Sequence, residues 1–132
     1  MLDVKELLAK LLRAPMVIEQ GTSGIWTYRK WSDGKAECWG QKTWNVTGYS
    51  AWGSSYYSNY SGATAYPNNL FIDTPVELAN YSHNTANSGD GVLGLRIAGN
   101  TATQTANYYI LRPNNGSAGT ATVSIHAIGK WK

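Results

Sequence analysis

Apolar residues at helical spacing mark the start of the chain. They are Val4, Leu7, Leu8, Leu11 and Leu12, which fall at positions i, i+3, i+4, i+7 and i+8 and share one side of a helix. Asp3 followed by Glu6 resembles a capping box, and Pro15 stops the helix soon after Arg13. The pattern therefore predicts one short N-terminal α-helix.

A helix this short needs a packing partner, because about 11 residues are too few for stability alone in water. The leucine stripe either docks on the rest of the chain or meets copies of itself as a miniature coiled coil. Barely two heptads are present, so the coiled-coil signal is weak by itself. We favour self-association and expect residues 1–14 to form an oligomerisation neck. Its contact residues would be Val4, Leu7, Leu8, Leu11 and Leu12.

Short strands and turns replace the helical pattern from Met16 onward. Strands are predicted at residues 16–20, 25–31, 35–40, 41–48, 70–73, 76–82, 91–98, 106–112 and 120–128. The sharpest turn signal is Asp33-Gly34, which joins two of these strands as a hairpin. Strand spacing of roughly 8–12 residues indicates an all-β domain, an antiparallel β-sandwich or jelly-roll-like head. This head domain is predicted to span residues 15–132.

Residues 50–68 combine Gly, Ser and Asn with five aromatic side chains and lack firm alternation. We predict a long ordered loop there, and loops are where binding residues concentrate. Aromatic rings stack on sugar faces while short polar groups bond hydroxyls, so the segment suits a carbohydrate site. The candidate ligand-binding residues are Trp52, Tyr56, Tyr57, Tyr60 and Tyr66. Packing in a core or in a subunit contact is the alternative.

The composition agrees with dividing the aromatic residues into two groups. Six Trp and nine Tyr in 132 residues are more than one core of this size needs, and charged residues make up only 14%. A chain with so little charge hides its apolar surface in a core or against other subunits. We predict that the strand tryptophans Trp26, Trp31 and Trp39 pack the fold and that the aromatic cluster at residues 52–66 is the candidate for binding.

The charge distribution and the apolar segments of the sequence argue against nucleic-acid binding, membrane insertion and export. The net charge of +3 is mild, and the basic residues are scattered instead of forming the stripe that nucleic-acid binding requires. We find neither a transmembrane stretch nor the continuous apolar core of a signal peptide, so no membrane insertion or export is expected. Cys38 is the only cysteine, and its apolar neighbours predict a buried, inert thiol.

Candidate catalytic and cofactor motifs all have simpler explanations. Residues 89–94 match the dinucleotide pattern G-x-G-x-x-G, but a predicted strand follows instead of a helix, so chance explains the match. His83 and His126 have no ligand-spaced neighbours. A pair such as Glu37 with Glu77 could serve a glycosidase, but nothing marks it. We therefore predict no enzyme activity, no catalytic residues, no metal and no cofactor.

Two segments of the chain resemble a known group of proteins. They are IEQGTSGIWTYRKWSDGKAECWG at residues 18–40 and SIHAIGKWK at residues 124–132. Both resemble C-terminal head domains of tail-fibre and minor structural (receptor-binding) proteins of phages and prophages of Gram-positive bacteria. The two segments cover about a quarter of the chain, and the hairpin motif in the first is fairly specific to that group. The motif is not a catalytic signature, and no functional residues carry over.

The resemblance implies a homotrimeric virion component, made in the bacterial cytoplasm and displayed on the phage particle with other virion proteins. Its β head would adhere to a host cell-surface polysaccharide or other glycan, and multivalency would strengthen shallow sites. The N-terminal leucine stripe would be the end of a trimeric stalk. Two other interpretations stay open. One is a purely structural capsid-fibre, decoration or assembly protein with its aromatic residues in subunit contacts, and the other is a monomeric carbohydrate-binding module.

Overall fold

The computed structural model describes residues 3–84, 94–116 and 118–132. Within these ranges, the side chains of Lys5, Glu6, Ala9, Leu12, His83, Asn84, Arg96 and Ala98 fall outside the description. The described chain forms α1 (Val4–Arg13), β1 (Val17–Ser23), β2 (Trp26–Trp31), β3 (Lys35–Val46), β4 (Tyr49–Trp52), β5 (Ser55–Ser58), β6 (Val76–Asn84), β7 (Gly94–Ala98), β8 (Asn107–Arg112) and β9 (Gly119–Lys130). The predicted all-β class is confirmed.

The strands form two antiparallel sheets. One has five strands in the order β1-β2-β3-β9-β6, and the other has four in the order β4-β5-β8-β7. The longest ladder joins β3 to β9, from Lys35 opposite Lys130 to Val46 opposite Gly119. After β3 the chain alternates between the sheets, so residues distant in sequence become neighbours.

Both sheets contribute side chains to one hydrophobic core. The five-stranded sheet supplies Trp26, Ala36, Cys38, Trp44, Val46, Ala121, Val123, Ile125 and Ala127, and the four-stranded sheet supplies Tyr108 and Ile110. Burial alternates strictly along the middle of β9, because successive side chains of a strand point to opposite faces. The outward positions of the same strands are therefore left for solvent or partners.

The segment between β5 and β6 covers the core without forming a strand. Leu70 is 1% exposed, and its backbone amide donates to the Pro67 carbonyl at 3.2 Å, which closes a turn. Trp26 Nε1 donates to the Ala65 carbonyl at 2.7 Å and ties the segment to β2. The predicted strand at 70–73 is wrong, because a short apolar run buried by a turn has the same pattern as a buried strand.

The hairpin turn at Asp33-Gly34 is confirmed. Gly34 has a φ of 97°, a left-handed conformation that favours glycine. The Asp33 carboxylate accepts a hydrogen bond from the Lys35 amide at 3.1 Å. The strand that leaves the turn is continuous from Lys35 to Val46, so the strands predicted at 35–40 and 41–48 are one strand.

Residues 50–68 contain a hairpin instead of only a long loop. β4 and β5 pair antiparallel around Gly53, which has a φ of 62°. Alternation fails to predict this hairpin because Ser and Tyr occur on both of its faces. The strand predicted at 91–98 is described from Gly94 onward as β7. Its first residues, and most of the G-x-G-x-x-G match, lie outside the described residues.

Candidate functional site

The hairpin of β4 and β5 presents aromatic rings on the outward face of the four-stranded sheet. Tyr57 lies opposite Ser50, and Trp52, 53% exposed, lies opposite Ser55. The next residue of β5, Ser58, is buried and therefore marks the inward face. Trp52 and Tyr57 thus occupy diagonal positions on one outward face, close enough to contact one ligand.

Tyr109 on β8 extends this surface, although it is not among the predicted binding residues. Its neighbour Tyr108 is fully buried, so Tyr109 points outward. The ring centroids of Tyr57 and Tyr109 are 5.8 Å apart at 73°, and those of Tyr60 and Tyr109 are 6.1 Å apart at 54°. Both spacings are favourable for aromatic pairs. We call Trp52, Tyr57, Tyr60 and Tyr109 the aromatic face.

A depression of about 510 Å³ lies beside the aromatic face. Its lining includes three tyrosines of that face together with the polar residues Thr47, Ser50 and Asn59. Asn59 is fixed in place, because its Oδ1 accepts from the Thr47 amide at 2.9 Å and its Nδ2 donates to the Asn45 carbonyl at 3.0 Å. A volume in this range, with rings and a few polar groups, is typical of small-ligand sites.

Two of the five predicted binding residues face the core, which corrects the prediction. Tyr66 is only 5% exposed, its hydroxyl donates to Glu77 Oε1 at 2.6 Å, and its ring packs edge-on against Phe71 with centroids 5.1 Å apart. Tyr56 is half-buried and pairs with the buried Arg112 on the inward face of its sheet. The Tyr66 ring is enclosed by protein and closed to a sugar, whereas Tyr56 lies on the opposite side of its sheet from the other predicted rings. The other three predicted residues lie on the aromatic face.

The strand tryptophans differ in burial. Trp26 is 2% exposed and lies in the core, as predicted. Trp31 and Trp39 are only half-buried. Trp39 lies opposite His126 on the outward face of the five-stranded sheet and lines a second depression. The packing role predicted for Trp39 is therefore incomplete, since part of its ring borders open space.

This second depression has a volume of about 540 Å³ and lies across β3, β9 and β6. Six of its lining residues form two rows across the strands: Trp39, His126 and Leu78 in the first row, and Gln41, Ser124 and Asn80 in the second. We call it the Trp39 groove. One row offers rings and an aliphatic side chain, and the other offers amides and a hydroxyl.

The possible carboxylate pair of Glu37 and Glu77 does not converge on a cleft. Glu77 accepts from both the Tyr108 hydroxyl at 2.5 Å and the Ala106 amide at 3.2 Å, on the inward side of the five-stranded sheet. Glu37 lies on the outward side, where its Oε2 is 2.8 Å from His126 Nε2. Because the two carboxylates are on opposite faces of one sheet, they cannot flank one glycosidic bond.

The thiol of Cys38 is buried, as predicted. Burial raises its pKa to about 12, and the negative charges of Glu77 and Glu37 act in the same direction. A thiol with so high a pKa is not a nucleophile near neutral pH. In the parts of the chain that the structure describes, His, Cys, Asp and Glu form no group of three that could hold a metal ion.

The described leucines of α1 are exposed on the single chain. Val4 is 81% exposed, and Leu7, Leu8 and Leu11 are each more than half exposed. The side chain of Leu12, the fifth predicted contact residue, lies outside the described residues. The apolar stripe is therefore uncovered along most of its length in an isolated chain.

Comparisons with known proteins give no match. No protein-family model fits the chain, and neither a curated protein nor a solved structure is similar to it. In the described part of the chain, no helix has the length and apolar character needed to cross a membrane. Function is therefore inferred from the two depressions and the exposed stripe of α1.

Proposed function

We propose that this chain is the head domain of a phage virion protein of the tail-fibre or receptor-binding type. It adheres to a host cell-surface glycan as a homotrimer, does not catalyse a reaction, and is displayed on the phage particle with other virion proteins. The head is a jelly-roll-like β-sandwich that follows the N-terminal helix. The observation that carries the proposal is the aromatic face beside its polar depression, since exposed rings next to hydroxyl and amide groups suit shallow sugar binding.

The exposed stripe of α1 supports the homotrimer. Four of its apolar residues are more than half exposed on the single chain, and burying one leucine side chain contributes about 1.5–3 kcal/mol. Three such helices can cover one another's stripes as a short coiled-coil neck. The neck then holds three heads together, so that weak binding at each aromatic face becomes strong adhesion.

The state of the carboxylates supports binding without catalysis. Glu77 is committed to three hydrogen bonds inside the core, and Glu37 contacts His126 on the opposite face of the sheet. Neither lines the depression beside the aromatic face, so neither can act on a sugar bound there.

Substituting the aromatic face tests the proposal. We expect Tyr57→Ala and Tyr109→Ala each to weaken binding to Gram-positive cell-wall polysaccharide by about tenfold or more, because each removes a stacking surface from the site. Titration calorimetry with the polysaccharide and a glycan array measure the effect. Trp31→Ala, a half-buried ring outside both depressions, is the matched control and should keep full binding.

Thermal unfolding of each variant separates lost contacts from a lost fold. Folded variants that retain full affinity for the polysaccharide would remove the aromatic face from the site. If the parent protein binds no glycan and no Gram-positive cell surface, the adhesion proposal fails. A monomer at micromolar concentration in light scattering would refute the trimer and leave a monomeric carbohydrate-binding module.

A purely structural capsid-fibre, decoration or assembly protein is the second candidate. The edge strand β6 favours it, because its outward Val76 and Leu78 are 65% and 55% exposed, as expected of residues that become buried in an assembly. In that case the aromatic rings would lie in subunit contacts, and no glycan would compete for them.

A further inference from the structure

We propose that the Trp39 groove is a second carbohydrate site, selective for a neutral sugar that carries an acetamido group. The groove lies on the five-stranded sheet, whereas the aromatic face belongs to the four-stranded sheet. The proposal therefore goes beyond the function proposed above and does not depend on it. The lining of the groove alone supports it.

The groove is shaped by a short side chain between two longer ones. Ser124 lies on β9, the strand between β3 and β6. It is opposite Gln41 on β3 and opposite Asn80 on β6. Its hydroxyl is fixed, because Gln41 Nε2 lies 3.3 Å from Ser124 Oγ and Ser82 Oγ lies 2.6 Å from it. The result is a shallow floor between two exposed amide side chains, about as wide as three strands.

Trp39 is positioned to offer ring surface to this floor. The Arg29 guanidinium lies over the indole, 5.0 Å from its centroid, and Arg29 Nε donates to Gln20 Oε1 at 3.2 Å. Arg29 belongs to β2, on one side of Trp39, whereas the groove extends over β9 and β6 on the other. The indole also contacts the His126 ring of β9, with centroids 6.2 Å apart at 78°. These two contacts restrain the indole, which reduces the entropy lost when a ligand packs against its exposed part.

The charges around the groove favour a neutral ligand. None of the described residues that line it is Lys, Arg, Asp or Glu. The titratable group in the lining is His126, whose Nε2 is 2.8 Å from the Glu37 carboxylate, and the side chain of Glu37 is only 13% exposed. The Arg29 guanidinium over Trp39 and the Glu37 carboxylate beside His126 carry opposite charges, so an acidic sugar gains no net attraction here.

Leu78 distinguishes an acetamido sugar from one that carries only hydroxyls. Leu78 is 55% exposed and shares the first row with Trp39. A methyl group can pack on this aliphatic side chain, whereas a hydroxyl there would lose water without gaining a partner. The amides of Asn80 and Gln41 in the second row each offer a donor and an acceptor, which matches the N–H and C=O of an acetamido group.

The test compares three oligosaccharides on the full-length chain by titration calorimetry. The probes are the trimer of N-acetylglucosamine, the trimer of glucosamine and the trimer of glucose. We expect the acetylated trimer to bind about tenfold or more tightly than the other two, because only it supplies the methyl and amide groups. Equal affinities for all three would overturn the proposal.

Variants then locate the binding. Trp39→Ala and Asn80→Ala should each weaken binding of the acetylated trimer by about tenfold. Trp31→Ala, a half-buried ring outside both depressions, is the matched control and should leave it unchanged. Asn80 is exposed on an edge strand, so its loss tests the groove even if Trp39→Ala destabilises the fold. Binding that is lost with Trp52→Ala but kept with Trp39→Ala and Asn80→Ala would assign the sugar to the aromatic face and overturn the second site.

Discussion

At the residue scale, the Glu77 carboxylate links three parts of the core. It accepts from the hydroxyls of Tyr66 at 2.6 Å and Tyr108 at 2.5 Å, and from the Ala106 amide at 3.2 Å. All three partners are donors. We expect Glu77→Gln to lower the free energy of unfolding by about 1–3 kcal/mol, because the new NH₂ group faces donors and leaves one without an acceptor. Urea denaturation near neutral pH measures this change.

A matched substitution on the surface gives the reference for this prediction. Glu19, whose side chain is 49% exposed, forms an ion pair with Lys30 at 3.6 Å, and ion pairs at the protein surface contribute little to stability. Glu19→Gln should therefore change the free energy of unfolding by less than about 0.5 kcal/mol. Equal effects of Glu77→Gln and Glu19→Gln would mean that the three hydrogen bonds of Glu77 are not needed for stability.

At the scale of single elements, alternation predicted the strands that have one apolar face. β2, β3 and β9 all fall within a few residues of their predicted positions, because their core-facing residues alternate mostly with polar ones. The pattern fails where both faces carry similar residues. β4 and β5 carry Ser and Tyr on both sides, and only the partner strand decides which tyrosine faces inward.

The candidate site was predictable to the same limited extent. The aromatic segment contains Trp52, Tyr57 and Tyr60, but Tyr109 lies far along the chain and joins them only through the pairing of β5 with β8. A signal for it exists in the sequence, since Tyr108 and Tyr109 are adjacent in a strand and one of them must point outward. The Trp39 groove is formed by three strands that are distant in the sequence. Its lining is set by the pairing registers of these strands, which the local sequence pattern does not specify.

The helix α1 carries its own prediction. We expect Leu8→Glu combined with Leu11→Glu to convert the assembly to smaller species, because two carboxylates replace apolar side chains that are each 55% exposed on the single chain. Burying those charges in a coiled-coil seam would be strongly unfavourable. Light scattering or sedimentation velocity measures the change in mass, and the circular dichroism of the β head should stay the same.

Arg13→Glu is the control for charge alone. Arg13 lies on the same helix, about 170° around its axis from the middle of the leucine stripe, given 100° per residue. A carboxylate there should leave the assembly intact. If the doubly substituted chain has the mass of the parent protein, α1 is not the oligomerisation element, and the β head assembles by itself.

At the scale of the whole molecule, the stability of the core depends on one buried thiol and two buried phenols that keep their protons up to strongly alkaline pH. Burial raises the pKa of Cys38 to about 12 and also raises the pKa values of Tyr66 and Tyr108, which both donate to Glu77. The unfolded chain releases these protons at lower pH than the folded chain does, so stability is complete below the unfolded pKa values and falls as the pH rises above them. We expect the free energy of unfolding to decline from about pH 9, by up to about 1.4 kcal/mol per pH unit for each group.

Two variants divide this alkaline loss by pH, because the thiol titrates before the phenols in an unfolded chain. Cys38→Ala should flatten the decline from about pH 9 up to about pH 12, whereas Tyr108→Phe should flatten it only above about pH 10. Both substitutions also lower stability at neutral pH. Urea denaturation of the variants and the parent protein at matched pH values therefore compares how steeply the free energy of unfolding declines with pH, and not its absolute value.

The buried thiol is on the five-stranded sheet and Tyr108 is on the four-stranded sheet, yet both lie in one core. If each variant unfolds in a single cooperative transition and each shows the expected smaller decline of unfolding free energy with pH, the two sheets unfold together. If the decline is the same in both variants as in the parent protein, these protons do not control the stability of the fold.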